Sequence, residues 1–365
     1  NMKTLKVFST LLLTLSIFCF CTNTQETDYE KIQNQFNNPP QSAKPKVYWW
    51  ILNGNLDTIR AKQELQAMKD AGIGGFDFFE IGAPRDTMIP GGPAFMSDES
   101  IALIKFAAKE AKKLELTMGL NLASSWNAGG SWVEPKHGGK SLYRAKTTVS
   151  GNGTKQNINI PFPDISFPKD MLIGHSREPM IPMRDDGKPV YFEEIALLAL
   201  PASTGNNRLD TSQIIDVTPY FNPEKDVLAW DAPAGEWEIH RYVCSNSGQQ
   251  VVLPSPESAG LVIDHFDSTA VETHLMYFIN KLQPVLGDFR ETALKSFYLA
   301  SYEARGFVWT SSLSEEFKNL NGYSINKYIP SFFSKDIFPG EINNMIDTDF
   351  KKTLSELMIN NLYRK

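Results

Sequence analysis

Three carboxylates, two tryptophan-bearing segments and an Asn-Gly-Asn turn hold most of the chemistry this sequence offers. Trp49 and Trp50 run into Asn53-Gly54-Asn55, and Asp77 and Glu80 lie three residues apart in an apolar run. A third apolar run leads into Ser125-Trp126-Asn127-Ala128-Gly129-Gly130-Ser131-Trp132, and Glu303 closes a fourth. Amides and carboxylates hydrogen-bond hydroxyl groups, while indoles offer a large flat apolar surface with one polar edge. Together they suit a polyhydroxylated ligand whose C–H faces stack on aromatic rings. Cleaving a glycosidic bond in such a ligand needs one protonated carboxyl for the leaving oxygen and a second carboxylate to activate water or attack directly. Plainer roles stay open. Glu303 can simply accept a hydrogen bond at a rim, Glu80 or Asp77 can pair with Arg85, and Trp side chains commonly fill cores.

Other chemistries find less support. Gly129-Gly130 is not followed by the Lys-Ser/Thr pair of a phosphate-binding loop. No nucleophile-elbow pattern is present. His137, His175, His240, His265 and His274 show no metal-ligand spacing and read as structural.

The elements that must position these groups alternate. Val47–Asn53, Gly75–Ile81 and Leu116–Ala123 are apolar runs of strand length. Between them lie helical stripes, Ala61, Leu65 and Met68 in one and Ile101, Ile104, Ala108 and Ala111 in the next. Asp57 or Thr58 caps the first helix and Ser97–Glu99 open the second, while Gly72 and Gly74 end the first. Strands alternating with helices imply parallel pairing, because parallel neighbours need a crossover. From about Arg144 to Val252 the period changes to short β-rich runs such as Lys155–Ile160, Val190–Leu200 and Glu236–Val243, read as an all-β insertion. Helix then strand resumes with a stripe of Val271, Leu275, Phe278 and Leu282, followed by Leu294–Tyr302. A helix near Glu315–Leu320 and a last one with Phe350, Leu354 and Leu357 inward complete the chain. The expected fold class is α/β, a (β/α)8 TIM barrel with only about the first four of its eight strand-helix units present. On that count the sequence looks cut. In barrels of this kind the site lies at the C-terminal strand ends, where the groups named above fall.

The expected boundaries are 1–21 for an export signal, 22–45 for a polar linker, 46–143 for barrel units one to three, 144–255 for the β-rich insertion and 256–365 for unit four with its following helices. Lys3 and Lys6 precede an apolar run from Val7 to Phe20, which fits a secretory signal and is too short to span a membrane. Cys19 or Cys21 would carry the lipid of an anchored form, so the expected location is the periplasm or the outer-membrane surface. The 365 residues are 42% hydrophobic and 21% charged, the balance of a globular chain. The net charge of −6 leaves no basic excess to neutralise phosphates, so no nucleic-acid partner is expected.

At the strand ends the sequence resembles a known family. Val47-Tyr48-Trp49-Trp50 with Asn53-Gly54-Asn55, the stretch Met68-Lys69-Asp70-Ala71-Gly72-Ile73-Gly74-Gly75, Phe95-Met96-Ser97, the Ser125–Trp132 loop and Ser301-Tyr302-Glu303 are similar, in order and spacing, to glycoside hydrolase family 106. Those are the α-L-rhamnosidases of bacterial glycan degradation, and the likeness runs from about Pro39 to Arg364. The resemblance implies a catalytic β/α barrel with β-sandwich additions, inverting hydrolysis of rhamnose-containing oligosaccharides or polysaccharides, and a calcium ion assisting sugar binding. It implies a catalytic role for Glu303, as general acid, and substrate contacts for Asn53, Glu80 and Trp126; Trp50, Asn127 and Trp132 are further candidate substrate contacts from their place at the strand ends, and no metal ligand is named. Ala300 stands where the family pattern has an aspartate, which puts one orienting hydrogen bond in doubt. The alternative is an exported carbohydrate-binding remnant or inactive fragment without catalysis.

Overall fold

The computed structural model describes residues 27–83, 88–165, 180–202, 208–303 and 307–364. The export-signal reading with Cys19 and Cys21, the Arg85 pairing and His175 therefore lie outside the described residues. Residues up to Pro45 and those from Lys46 onward form two units. In the first, the stretch read as a polar linker holds a helix, α1 (Asp28–Asn37), none of whose residues is buried. Its support is local. The Thr27 hydroxyl accepts from the Glu30 amide at 3.2 Å, and the Glu30 carboxylate accepts from the Thr27 amide at 2.8 Å, a reciprocal cap.

In chain order the second unit contains β1 (Lys46–Leu52), α2 (Thr58–Asp70), β2 (Gly75–Ile81), α3 (Asp98–Lys113), β3 (Thr117–Asn121), β4 (Lys140–Gly151), β5 (Lys155–Asn159), β6 (Phe192–Pro201), β7 (Val227–Asp231), β8 (Gly235–Asn246), α4 (Ser268–Leu286), β9 (Leu294–Tyr298), α5 (Leu313–Asn321) and α6 (Gly340–Met358). Strands β1, β2, β3 and β9 pair in that order, all parallel, and form a half-barrel. Asp57, Ser97 and Asp267 cap α2, α3 and α4 with their side chains, each satisfying amides that the first turn leaves free. The apolar stripes of the three helices bury Ala61, Leu65, Ile101, Ile104, Phe278 and Leu282 against Trp49, Ile51, Phe76 and Phe78 of the sheet.

The antiparallel layer is built mainly from Lys140–Gly151 to Gly235–Asn246, with Val308–Trp309 added at one edge. A five-stranded sheet runs Val308–Trp309, β4, β8, β6, Ile215–Asp216, and a three-stranded sheet runs β5, β7, Phe221–Asn222. Strand β6 shows why the run Ile195–Leu200 is apolar throughout. Ala196, Leu198 and Leu200 join one core with Tyr242 and Trp309, while Leu197 and Ala199 join another with Leu228 and Trp230 of the three-stranded sheet.

The expectation of four strand-helix units needs a correction here. Leu313 and Phe317 of α5, and Phe350 and Leu357 of α6, pack on the antiparallel sheet and not on the half-barrel. The half-barrel thus has four strands and the three helices that cross between them. An apolar stripe fixes which side of a helix turns inward; it does not fix which layer receives it.

Candidate active site

Period-two alternation sends Tyr48, Trp50 and Leu52 of β1 to the inner face of the half-barrel, away from the helices. On β2 the same face holds Asp77 and Phe79, whose register places Phe79 opposite Trp50. On β9 it holds Tyr298, opposite Asn121. The aromatic rings meet there. Trp50 and Phe79 have centroids 4.7 Å apart, Trp50 and Trp126 5.4 Å, and Phe79 and Trp126 5.2 Å. Tyr48 touches Trp50, Phe79 and Tyr298 and shares a hydroxyl-to-hydroxyl hydrogen bond with Tyr298. Tyr48 is 44% exposed and Trp50 42%, so these two rings are open to a ligand, while Phe79 beneath them is fully buried. Deeper along the strands, Lys46 pairs with Asp77 at 2.8 Å.

The four strand ends do converge, by specific links. The backbone amide of Asn53 donates to the Ile81 carbonyl at 2.9 Å, joining the ends of β1 and β2. Trp126 joins the end of β3 to Trp50. Ser301 forms a parallel bridge with Asn127, its amide donating to the Trp126 carbonyl at 3.1 Å, which joins the end of β9 to the loop after β3. Glu303 follows two residues later, and its side chain is exposed.

Glu80 is the reverse case. Only 3% exposed, it sits beneath the turn at Gly54, where a side chain would meet the Pro93 carbonyl at 2.8 Å and a Glu80 oxygen at 3.3 Å. Gly54 also has φ +75°, which favours glycine. At Gly82 a Cβ would meet the Pro254 carbonyl at 2.1 Å, so the loop carrying Leu253–Ser255 closes from the other side. Burial pushes the Glu80 carboxyl up to about 7, against the opposing effect of the Ser255 hydroxyl, and its Oε1 has no hydrogen-bond partner among the described residues. This is a carboxyl that holds its proton near neutrality.

Three other sequence-predicted site residues are engaged by the protein itself. Asn53 takes a positive φ of 54°, which Asn tolerates, and staples the loop after β2: its Oδ1 accepts from the Ala83 amide at 2.7 Å and its Nδ2 donates to the Ile89 carbonyl at 3.2 Å. Asn127 is fully buried; its Nδ2 donates to the Glu303 carbonyl at 3.3 Å and its Oδ1 accepts from the Ser301 hydroxyl at 3.3 Å. Trp132 packs on α4, stacked on Tyr277 at 4.2 Å and 6° with Phe95 also stacked at 5.8 Å. Its indole N–H donates to His274 Nδ1 at 3.2 Å, and none of its ring partners belongs to the Trp50 floor. Trp50, Trp126 and Glu303 remain available at the rim. Tyr48, Phe79 and Tyr298 escaped the sequence reading, although Tyr48 and Trp50 are two apart and must share a face.

Burial pushes His240, His265 and His274 down to about 4, so all three are neutral at physiological pH, as structural histidines. Among the described residues no three His, Cys, Asp or Glu side chains gather to hold a metal ion.

The half-barrel thus carries an aromatic floor and an exposed glutamate at its C-terminal rim. The sequence profile of the alpha-L-rhamnosidases of glycoside hydrolase family 106 matches residues 37–212 and 187–365. The chain belongs to glycoside hydrolase family 106. Among solved structures it is similar to the rhamnosidase from Novosphingobium sp. PP1Y, with a TM-score of 0.72 and 19% identity over 91% of this chain and 45% of that one. That likeness shows a shared fold. A Formosa agariphila protein named "Putative beta-glucuronidase" is 28% identical over 352 residues, 91% of this chain and 29% of that protein. The chain thus spans less than half the length of either protein.

Proposed function

We propose that β1, β2, β3 and β9 are four strands of a (β/α)8-type barrel, and that the protein carrying this chain hydrolyses α-L-rhamnosides with inversion at the rim they form. The observation that carries the reading is Glu303, exposed at the strand end that Asn127 and Ser301 tie to the aromatic floor of Trp50, Phe79 and Trp126. A pyranose laid on that floor presents its C–H face to the rings and its glycosidic oxygen to the rim. Glu303 then donates a proton to the leaving oxygen. Inversion needs a second carboxylate about 6.5–9.5 Å away, with room for the attacking water. Glu80 is buried beneath the Gly54 turn, so water activation falls to another carboxylate.

The basic start and the apolar run Val7–Phe20 support an exported protein, periplasmic or held at the outer-membrane surface through Cys19 or Cys21. Rhamnose-containing oligosaccharides or polysaccharides are the proposed substrates, and the family likeness supports calcium as an aid to binding. The exposed floor also favours a second reading, sugar binding without turnover, for which calorimetry would give heat with rhamnose-rich pectin fragments and no product. The deciding assay offers the protein that carries this chain p-nitrophenyl α-L-rhamnoside and p-nitrophenyl β-glucuronide, with calcium present. Nitrophenol release from the rhamnoside alone is expected. Release from the glucuronide alone would overturn the rhamnoside reading.

A further inference from the structure

Among the described residues the Glu303 carboxylate has no hydrogen-bond partner, so its place depends on how its backbone is held. Two side-chain amides hold it. Asn127 Nδ2 donates to the Glu303 carbonyl at 3.3 Å, and Gln249 Nε2 donates to the same oxygen. A carbonyl oxygen has two lone pairs and accepts both. The donors come from different layers: Asn127 from the loop after β3 of the half-barrel, Gln249 from the segment after β8 of the antiparallel sheet. Gln249 is itself anchored, its amide donating to the Ser247 hydroxyl at 3.3 Å and its carbonyl accepting from the Val262 amide at 3.0 Å.

We propose that Gln249 is a positioning residue for catalysis, the point through which the antiparallel sheet fixes Glu303 over the glycosidic oxygen. The inference rests on the reading of Glu303 as the general acid. Asn127 alone constrains the strand end from one side, through a bond at the long end of the normal range. The second donor, from the opposite layer, removes the remaining freedom. A misplacement of about 1 Å can cost about 10²-fold in rate, so loss of this one contact should be visible in turnover.

The test uses Gln249→Met, which keeps the length and loses the donor, in the protein that carries this chain. A general acid matters most when the leaving group is poor. The expected result is a fall in kcat of about tenfold or more on phenyl α-L-rhamnoside, a much smaller fall on the 2,4-dinitrophenyl rhamnoside, and little change in KM or in the melting midpoint. In a Glu303→Gln background, Gln249→Met should cost nothing further. Equal losses on both substrates, an additive loss in the double variant, or no loss at all would each overturn the role of Gln249. If Glu303→Gln itself fails to discriminate between the two leaving groups, the reading of Glu303 has failed instead, and the proposal for Gln249 falls with it.

Discussion

The inner face of the half-barrel and the five-stranded antiparallel sheet use the same kinds of side chain and put them to opposite uses. Trp309, beside β4, is fully buried among Leu142, Tyr242, Leu313 and Phe350. Trp50, on β1, is tilted against Phe79 and packed edgewise against Trp126, and it stays 42% exposed. Strand β6 is covered on both faces by cores of its own, whereas β1 is covered on one face only. An apolar, aromatic strand therefore shows that both faces are apolar without showing what covers each. In the antiparallel layer the rings are filling; on the half-barrel they are a surface that a sugar can use.

Mutations can break or sharpen this contrast. Trp309→Ala should cost about 3–5 kcal/mol of stability, read from the urea midpoint, because a large cavity opens in a core that cannot fully collapse. A cost as small as that of a surface change would mean that the antiparallel layer is not the packed half of the molecule.

Glu80→Gln should follow in size, with a pH signature. The folded protein holds the Glu80 proton up to about 7, whereas the ordinary value is 4.5. Between these values the folded state binds more protons than the unfolded chain, so stability falls as pH rises through this window. The amide removes that penalty, which amounts to at most about 3 kcal/mol above pH 7. Melting curves should show the variant ahead of the parent at pH 8, with the two converging toward pH 4.5; parallel curves would deny the buried proton. Smallest of all should be Trp50→Ala, below about 1 kcal/mol in stability because the ring is half-exposed, yet with clear loss of sugar affinity by calorimetry. A loss of stability comparable to that of Trp309→Ala would make the floor a core.

Much of the half-barrel was legible because its information is local. The caps at Asp57 and Ser97 and the stripes at Ala61–Leu65 and Ile101–Ala111 each lie within one helix, and each folds as read. The destination of α5 and α6 was not legible, since Phe317 and Phe350 would look the same whichever sheet received them. The site divided in a similar way. Trp50 and Trp126 meet across the ends of β1 and β3, whereas Asn53, Asn127 and Trp132 spend their polar atoms or ring faces on the protein itself. Burial of Glu80 depends on three loops meeting over it, and Gln249 reaches Glu303 from 54 residues away. Contacts across that separation leave no periodicity to read.

The most direct test of the account compares parent and Glu303→Gln on an α-L-rhamnoside with an unactivated leaving group. If Glu303 is the proton donor at this rim, the rate should fall by about 10²–10⁴-fold while binding of rhamnose to the aromatic floor persists. Equal rates in the two proteins would contradict it.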